Sequence, residues 1–378
     1  MKKKKTNAPK KNVSFSQFGN YNLLFEYFIS RGLEQNYVRP PEITKRTMEL
    51  GNRNSPDFVC SPFKFTLGCF LEAIEAGADT IVQVGGIVAC RLKYYGALQE
   101  KIIRDLGHDI TFVNLAKASR ENPKSFLALF RQINPEFSLP RLLRTGVTVV
   151  AMLEALDRIQ AVVSANVGFE TRDGDYDREF RRFTQRLRES PNNVFSVYRI
   201  YRDTKRNMAA IPVDIPEHPL RISLIGEYYT VMDDYSSHNI EKKMAKYGMR
   251  VERWMNVSNT VLHYSAPKRR RVIRDYVQYD MGVTTTSNIG FALECAKKGF
   301  DGIIQLKSFG CTPEIDAMPV LRNISADYDV PVLFFSFDCQ NADTGIETRL
   351  EAFYDMIRLK KEAQAEGERS PASAPSLT

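Results

Sequence analysis

The chain has 378 residues, a length that predicts two domains. Of these residues 43% are hydrophobic and 26% charged, a composition typical of a globular protein. No apolar run reaches the roughly 18 residues that a membrane helix needs, and the N-terminus has no apolar signal core. We therefore expect a cytoplasmic protein without a membrane partner. The net charge of +8 does not indicate nucleic-acid binding, because six lysines in the first eleven residues supply most of it. Those lysines belong to a basic tail, 1–12, that we predict to be disordered.

The first α/β domain is predicted over residues 13–120. An amphipathic helix is expected near its start, over 15–31. Short apolar runs next to turn residues predict strands over 57–59, ending at Cys60, over 80–84, preceding Cys90, and over 110–113. Lys64 and Arg91 lie close to the first two cysteines in the sequence. A cation and a helix N-terminus both favour a thiolate, so these two residues are the catalytic candidates, for stabilising an anionic cofactor or a substrate oxygen. Ordinary salt-bridge or surface residues are the alternative interpretation.

The remainder of the chain contains a helical segment and a second α/β domain. Long apolar periodicities predict a helical connection over 121–214, and the second domain follows over 215–361. Its predicted strands are 221–226, 250–254, 303–306 and 330–337, and a closing helix is expected over 347–359. The tail 362–378 is rich in Ala, Ser, Pro and Glu, which predicts disorder. Neither G-x-G-x-x-G nor G-x-x-x-x-G-K-[ST] occurs, so we expect no tight NAD site and no ATP hydrolysis by this chain.

One phrase occurs twice and relates the two halves. GADTIVQV, starting at Gly77, matches GFDGIIQL, starting at Gly299, and each copy is followed by a cysteine, Cys90 or Cys311. Chance similarity between two ordinary helix-Gly-strand units is the alternative interpretation. Related halves would each contribute a thiol at the carboxyl end of a parallel sheet, where ligands bind in open α/β folds. The repeat therefore predicts two parallel-sheet domains, and the cysteines that they contribute converge only if these domains face each other across a cleft.

The six cysteines divide into two groups by position. Disulfides are disfavoured in the cytoplasm, so we expect none among the six cysteines. Cys69 and Cys295 lie within helical patterns and are expected in the core as small apolar residues. Cys60, Cys90 and Cys311 each follow a predicted strand, and three thiolates suit a soft metal. Zinc prefers a fourth Cys or His, whereas three thiolates can hold a 4Fe–4S cluster. Spacing alone leaves the cluster, zinc and buried structural thiols open, with Cys339 as an additional candidate ligand.

The sequence resembles a known group of proteins over most of 40–110 and 220–360. The motif FGCTPEI, preceded by GFDGII and followed by MPVLRNISADYDVPVLFFSFD, is similar to the C-terminal block of 2-hydroxyacyl-CoA dehydratase and benzoyl-CoA reductase subunits. LIGEYY and SPDFVCSPFKFTLGCFLEAIEAGADTIV extend the likeness. More narrowly, the chain resembles the stand-alone members called acyl-CoA dehydratase activase-related or CoA protein activase proteins.

The resemblance implies a fold, a cofactor and partners. It implies two Rossmann-like, flavodoxin-like domains that hold an iron–sulfur cluster, 4Fe–4S or larger, through Cys60, Cys90 and Cys311. It also implies low-potential electron transfer to an acyl-CoA or similar small molecule, with electrons from a separate ATP-hydrolysing activator. A paralogous subunit or a second copy of the chain is the further partner it suggests. These functions belong to anaerobic metabolism and make the chain a dehydratase- or reductase-like component.

Three segments depart from the pattern of the relatives. The loop before Cys90 reads GGIVAC instead of ending in Gly-Pro-Cys, and MGVTTTSNIG replaces a segment rich in glycine and histidine. In SFDCQNADTG, Cys339 stands where relatives carry an acidic residue. All three segments are expected near the cleft. They motivate the alternative that the chain is a non-catalytic scaffold or binding protein that kept the fold, with a structural cluster or with none.

Overall fold

The computed structural model describes residues 9–85, 90–118, 123–233, 236–279, 281–337 and 343–369. These residues form an α/β structure with two four-stranded sheets, and every strand pairing within them is parallel. The first sheet has the order β2-β1-β3-β4, with β1 Asn12–Phe15, β2 Asn36–Tyr37, β3 Thr80–Gln83 and β4 Thr111–Asn114. The second has the order β6-β5-β7-β8, with β5 Leu220–Gly226, β6 Met249–Arg253, β7 Gly302–Ser308 and β8 Val332–Phe337.

Helices connect and cover these strands. In the first half they are α1 Asn22–Tyr27, α2 Lys45–Asn54, α3 Ser61–Glu75 and α4 Leu92–Asp105. Between the two sheets lie α5 Pro123–Ile133, α6 Leu139–Asn166, α7 Asp175–Glu189 and α8 Val194–Ala209. In the second half they are α9 Tyr228–Met232, α10 Ile240–Ala245, α11 Val257–Val261, α12 Ala266–Ile273, α13 Val283–Lys297, α14 Thr312–Tyr328 and α15 Asp343–Arg369. Among the described residues, no helix has the length and apolar character required to cross a bilayer.

The central strand β7 shows why the sheets are parallel and covered on both faces. All seven of its residues are buried, as expected of a strand with helices on both sides. Ile304 and Leu306 belong to the core that includes β5 and α6, whereas Ile303 packs in a separate core with α13 and α14. The alternation of side chains along the strand thus divides the second half into two hydrophobic layers.

The repeated phrase occupies the same place in the two sheets. Its copies form β3 and β7, and each is the third strand in a sheet of the same order. The Asp79 carboxylate accepts a hydrogen bond from the Asn12 N–H at the start of β1 (3.0 Å). The Asp301 carboxylate likewise accepts one from the Arg221 N–H near the start of β5 (2.7 Å). The aspartate of the phrase therefore fixes the central strand pair in both halves.

Some predicted elements were wrong. Residues 57–59 are not a strand but a turn, in which Phe58 has φ +60, a left-handed conformation that a strand does not allow. The predicted helix over 15–31 begins later, because 12–15 form β1. Asn12 thus lies in the sheet rather than in the predicted tail, and the Lys11 ammonium donates to the Gln132 carbonyl (2.7 Å). At the other end α15 continues to Arg369, beyond the predicted boundary at 361.

A close helix crossing fixes the position of α3. A side chain at Gly51 would meet the Lys64 carbonyl oxygen at 2.0 Å, and one at Gly68 would meet the Thr47 carbonyl oxygen at 2.0 Å. The two glycines therefore let the backbones of α2 and α3 touch. Because Cys60 immediately precedes α3, this crossing also fixes the position of that cysteine.

Candidate functional site

A cavity of about 380 Å³ lies at the carboxyl ends of both sheets. Its lining includes residues at or after the carboxyl ends of the two middle strands of each sheet. These are Ser16 and Phe18 after β1, Gln83 and Val84 at β3, Glu227 and Tyr228 after β5, and Ser308 and Cys311 at β7. In both sheets the strand order reverses between these two strands. Such switch points are the usual ligand sites of open α/β sheets. Here both switch points contribute to one cavity.

Cys60, Cys90 and Cys311 all line this cavity and are half-buried. Cys60 is the N-cap residue of α3, and Cys311 is the N-cap residue of α14. Cys90 directly precedes Arg91, the N-cap residue of α4. Each thiol therefore lies at a helix N-terminus, where the partial positive charge of the helix favours an anion.

The local sequence explains two of these helix starts. Cys60 is followed by Ser61 and Pro62, and Cys311 by Thr312 and Pro313. Proline in the first turn is preorganised for a helix and needs no N–H partner there. Pro62 predicts a helix start directly after Cys60, and this prediction is confirmed, whereas the strand predicted before Cys60 does not form.

Burial keeps the three thiols protonated. It raises the pKa of Cys60 and of Cys90, and the hydrogen bond between Cys60 Sγ and the Tyr95 hydroxyl partly opposes this at Cys60. The pKa of Cys311 is also raised, first by burial and then by the charges of Glu227 and Glu314. Binding a cation or a metal cluster would reverse this balance, because metal ligation deprotonates a thiol.

The other candidates from the sequence occupy different places. Arg91 lines the cavity, and its Nη1 donates to the Phe58 carbonyl in the turn before Cys60 (2.9 Å). Lys64 is not among the residues that line the cavity. Cys69 and Cys295 are fully buried in α3 and α13, as predicted for core cysteines. Cys339 lies outside the described residues.

Glu227 is a buried carboxyl group that sequence analysis missed. It lines the cavity and is the N-cap of α9, where its side chain accepts hydrogen bonds from the Tyr229 N–H (3.0 Å), the Thr230 N–H (2.9 Å) and the Thr230 hydroxyl. Burial raises its pKa, and these hydrogen bonds oppose the rise. Its charge raises the pKa of all three cavity thiols. The signal in the sequence was a glutamate directly after a buried strand in LIGEYY.

Glu314 is the second buried carboxyl group of the cavity. Asn288 Nδ2 donates to its Oε1 (2.8 Å), and Gln305 Nε2 donates to its Oε2 (2.7 Å). Burial raises the pKa of Glu314 to about 7, with a further contribution from the charge of Glu227. Lys307, on β7, interacts electrostatically with Cys311 and Glu314, and burial lowers its pKa. The cavity thus combines thiols and carboxyl groups in a mostly apolar lining.

Glu314 should make the stability of the protein depend on pH. Between its ordinary pKa of 4.5 and about 7, the folded chain retains this proton while the unfolded chain releases it, so the free energy of unfolding falls as pH rises. The loss reaches about 3 kcal/mol above that window, since one pKa unit is worth about 1.4 kcal/mol. In Glu314→Gln this contribution should disappear. Urea denaturation at pH 5 and pH 8 measures it.

An exposed carboxylate supplies the control for this measurement. Glu49→Gln, on the outer surface of α2, should retain the pH dependence of the wild type. If wild type and Glu314→Gln lose the same amount of stability between pH 5 and pH 8, the proton belongs to another group.

The donor chemistry of the cavity fits an iron–sulfur cluster, although the thiols do not form a ready ligand set. Among the described residues, no group of three or more His, Cys, Asp or Glu is placed to hold a metal ion. Cys60, Cys90 and Cys311 are nevertheless soft donors that share one cavity and lie at helix N-termini. A cluster held by three thiolates is anionic, and these helix ends suit it.

The comparisons with known proteins do not assign the chain to a family. No protein-family model matches the chain, and no curated protein sequence matches it.

Proposed function

We propose that Cys60, Cys90 and Cys311 hold an iron–sulfur cluster, 4Fe–4S or larger, and that the protein is a redox component related to 2-hydroxyacyl-CoA dehydratase and benzoyl-CoA reductase subunits. The observation that carries this proposal is that the three cysteines line one cavity at the switch points of two similar sheets. In the proposed arrangement the two sheets belong to Rossmann-like domains that face each other across a cleft, and α5–α8 connect them.

The residues of the cavity have separate tasks in this proposal. The three cysteines bind the cluster, and the helix N-termini behind them offset its negative charge. When bound, the cluster supplies low-potential one-electron chemistry. Arg91 supports the turn that precedes Cys60, and Tyr95 orients the Cys60 sulfur through their hydrogen bond. The apolar lining, which includes Phe18, excludes water from the site.

The proposed substrate is an acyl-CoA or a similar small molecule, and the proposed electron donor is a separate ATP-hydrolysing activator. The chain itself carries no phosphate-binding loop of the Walker type, so ATP hydrolysis is assigned to the partner. A cavity of this size and lining suits a small, largely apolar group. A paralogous subunit or a second copy of the chain completes the proposed assembly.

Anaerobic reconstitution tests the proposal directly. The purified protein, incubated with iron, sulfide and a thiol reductant, should become brown and contain about four irons per chain. Reduced samples should give the electron paramagnetic resonance signal of an iron–sulfur cluster. A colourless product that binds no iron under these conditions would contradict the proposal.

A non-catalytic scaffold is the second candidate function. It is favoured by the raised pKa values of the three thiols and by the lack, within the described ranges, of side chains already arranged as metal ligands. A protein of this kind would keep the cavity for binding without electron transfer. Electron transfer from the reduced, iron-loaded protein to an acyl-CoA separates the two functions, because a scaffold with a structural cluster, or with none, transfers no electron to a small molecule.

A further inference from the structure

We infer that the second-half end of the cavity, which Ser308 of β7 and the first turn of α13 both line, binds the uncharged carbonyl oxygen of a ligand through the Ser308 hydroxyl. This inference rests on the proposed function only in taking the same cavity as the ligand site. An acyl thioester is one member of the ligand class, together with ketones, esters and amides.

The Ser308 hydroxyl is the first observation. Ser308 is the last residue of β7, is 2% exposed and lines the cavity. Among the described residues, none forms a hydrogen bond with its Oγ. A buried hydroxyl without a partner is costly, so such an atom in a cavity wall indicates a ligand that satisfies it.

The start of α13 is an independent second observation. This helix has 15 residues and begins after Gly282. Thr284, in its first turn, lines the same cavity as Ser308. The N–H groups of a first helical turn have no acceptor within the helix and carry partial positive charge. This end of the cavity therefore favours an atom that accepts hydrogen bonds.

Three neighbouring acceptor atoms already accept hydrogen bonds from side-chain amides. The Gly226 carbonyl accepts a hydrogen bond from Asn288 Nδ2 (2.7 Å), and both oxygens of Glu314 accept hydrogen bonds from side-chain amides. The hydroxyls of Thr285 and Thr286, both fully buried, have no partner among the described residues. Within these described ranges, the first turns of α13 thus carry further unpaired hydroxyl groups, and Gln305 Oε1 on β7 is an unpaired acceptor beside them.

The carboxyl groups of the cavity favour an uncharged oxygen over an anionic one. Glu227 and Glu314 both line the cavity, and in their ionised forms they would repel a ligand carboxylate. The lining cation Arg91 donates to the Phe58 carbonyl in the first half. Phe25, Leu92 and Val257 supply apolar walls for the remainder of the ligand. The ligand class is therefore an apolar molecule with one neutral carbonyl group.

Binding of three small probes to the reduced, metal-free protein tests this subsite. Acetophenone carries the neutral carbonyl, isopropylbenzene has the same heavy-atom connectivity with a methyl group in place of the oxygen, and benzoate carries a charge. Ligand-detected NMR gives the dissociation constants. Ser308→Ala should weaken acetophenone binding about fivefold, as expected for the loss of one neutral hydrogen bond, and leave isopropylbenzene within about twofold. Benzoate should bind more weakly than acetophenone to the wild type.

Ser16→Ala is the matched control, because Ser16 also lines the cavity but its hydroxyl is within 3.4 Å of the Tyr229 hydroxyl. It should change neither of the two neutral probes. The inference is overturned if the wild type does not bind acetophenone, if Ser308→Ala affects both neutral probes equally, or if benzoate binds more tightly than acetophenone. None of these results depends on iron, so a failure here is distinct from failure of cluster assembly.

Discussion

Replacing Cys311 with alanine should abolish cluster assembly in the reconstituted protein. Cys311 is the cysteine that the second half contributes to the cavity, whereas Cys60 and Cys90 come from the first half. With three protein ligands, loss of one thiolate removes a third of the covalent attachment and opens the cluster to solvent. Cys60→Ala and Cys90→Ala should have the same effect. Iron content and visible absorbance after parallel reconstitution measure it, and we expect less than about a tenth of the wild-type iron.

Two buried cysteines that do not line the cavity serve as controls. Cys69 lies on α3, the helix that Cys60 caps, and Cys295 lies on α13. Burial raises the pKa of Cys69 to about 12 and that of Cys295 to about 11, so both are protonated core side chains. Their alanine variants should keep full iron and lose about 1 kcal/mol of stability. Full iron in Cys311→Ala, or equal losses in Cys69→Ala and Cys60→Ala, would refute the ligand assignment.

The repeated strands could be predicted because their signals are local. In β3 and β7 a glycine ends the preceding helix, an aspartate binds the neighbouring backbone, and apolar residues fill both faces of the sheet. Each of these features is decided within about eight residues. The sequence therefore predicted a central strand of each sheet, and the repeat indicated that these two strands occupy the same place in the two sheets.

Elements that depend on distant partners could not be predicted in the same way. β1 has four residues, and it is a strand because it lies between β2 and β3. The position of Cys60 depends on the contact between α2 and α3 and on the left-handed turn at Phe58. Neither of these features appears in the hydrophobic pattern around the cysteine.

The missed carboxyl groups have the same explanation. Glu314 lies in the first turn of a helix, where an exposed glutamate is common because it interacts favourably with the helix dipole. Its burial comes instead from Asn288 on α13 and Gln305 on β7, which are 26 and 9 residues away in the chain. A sequence pattern does not show that these three side chains meet. The candidate cysteines were accessible from the sequence, but the polar groups around them required the fold.

Gly226→Ala should destabilise the protein more than any surface substitution, by about 4 kcal/mol or more. Gly226 ends β5 with φ +149, a conformation that side chains rarely adopt. A Cβ atom there would lie 1.9 Å from the Leu306 carbonyl oxygen and 2.9 Å from a methyl carbon of Val231. The same carbonyl accepts a hydrogen bond from the Glu227 N–H (3.1 Å), so β5 and β7 would have to separate at the edge that lines the cavity. Urea denaturation of the metal-free protein measures the loss.

Two other glycines separate the contributions of strain and overlap to this effect. Gly299 has φ +69, but a Cβ atom at this position would have no neighbour within 4 Å, so Gly299→Ala should cost only the backbone strain, about 1–2 kcal/mol. Gly146 lies within α6 with open space beside it, and Gly146→Ala should stabilise the protein by about 0.5–1 kcal/mol. The expected order of stability is therefore Gly146→Ala, wild type, Gly299→Ala and Gly226→Ala. If Gly226→Ala and Gly299→Ala have equal stability, the backbones of β5 and β7 are not in contact at the cavity edge, and the position of Glu227 beside the cysteines loses its structural basis.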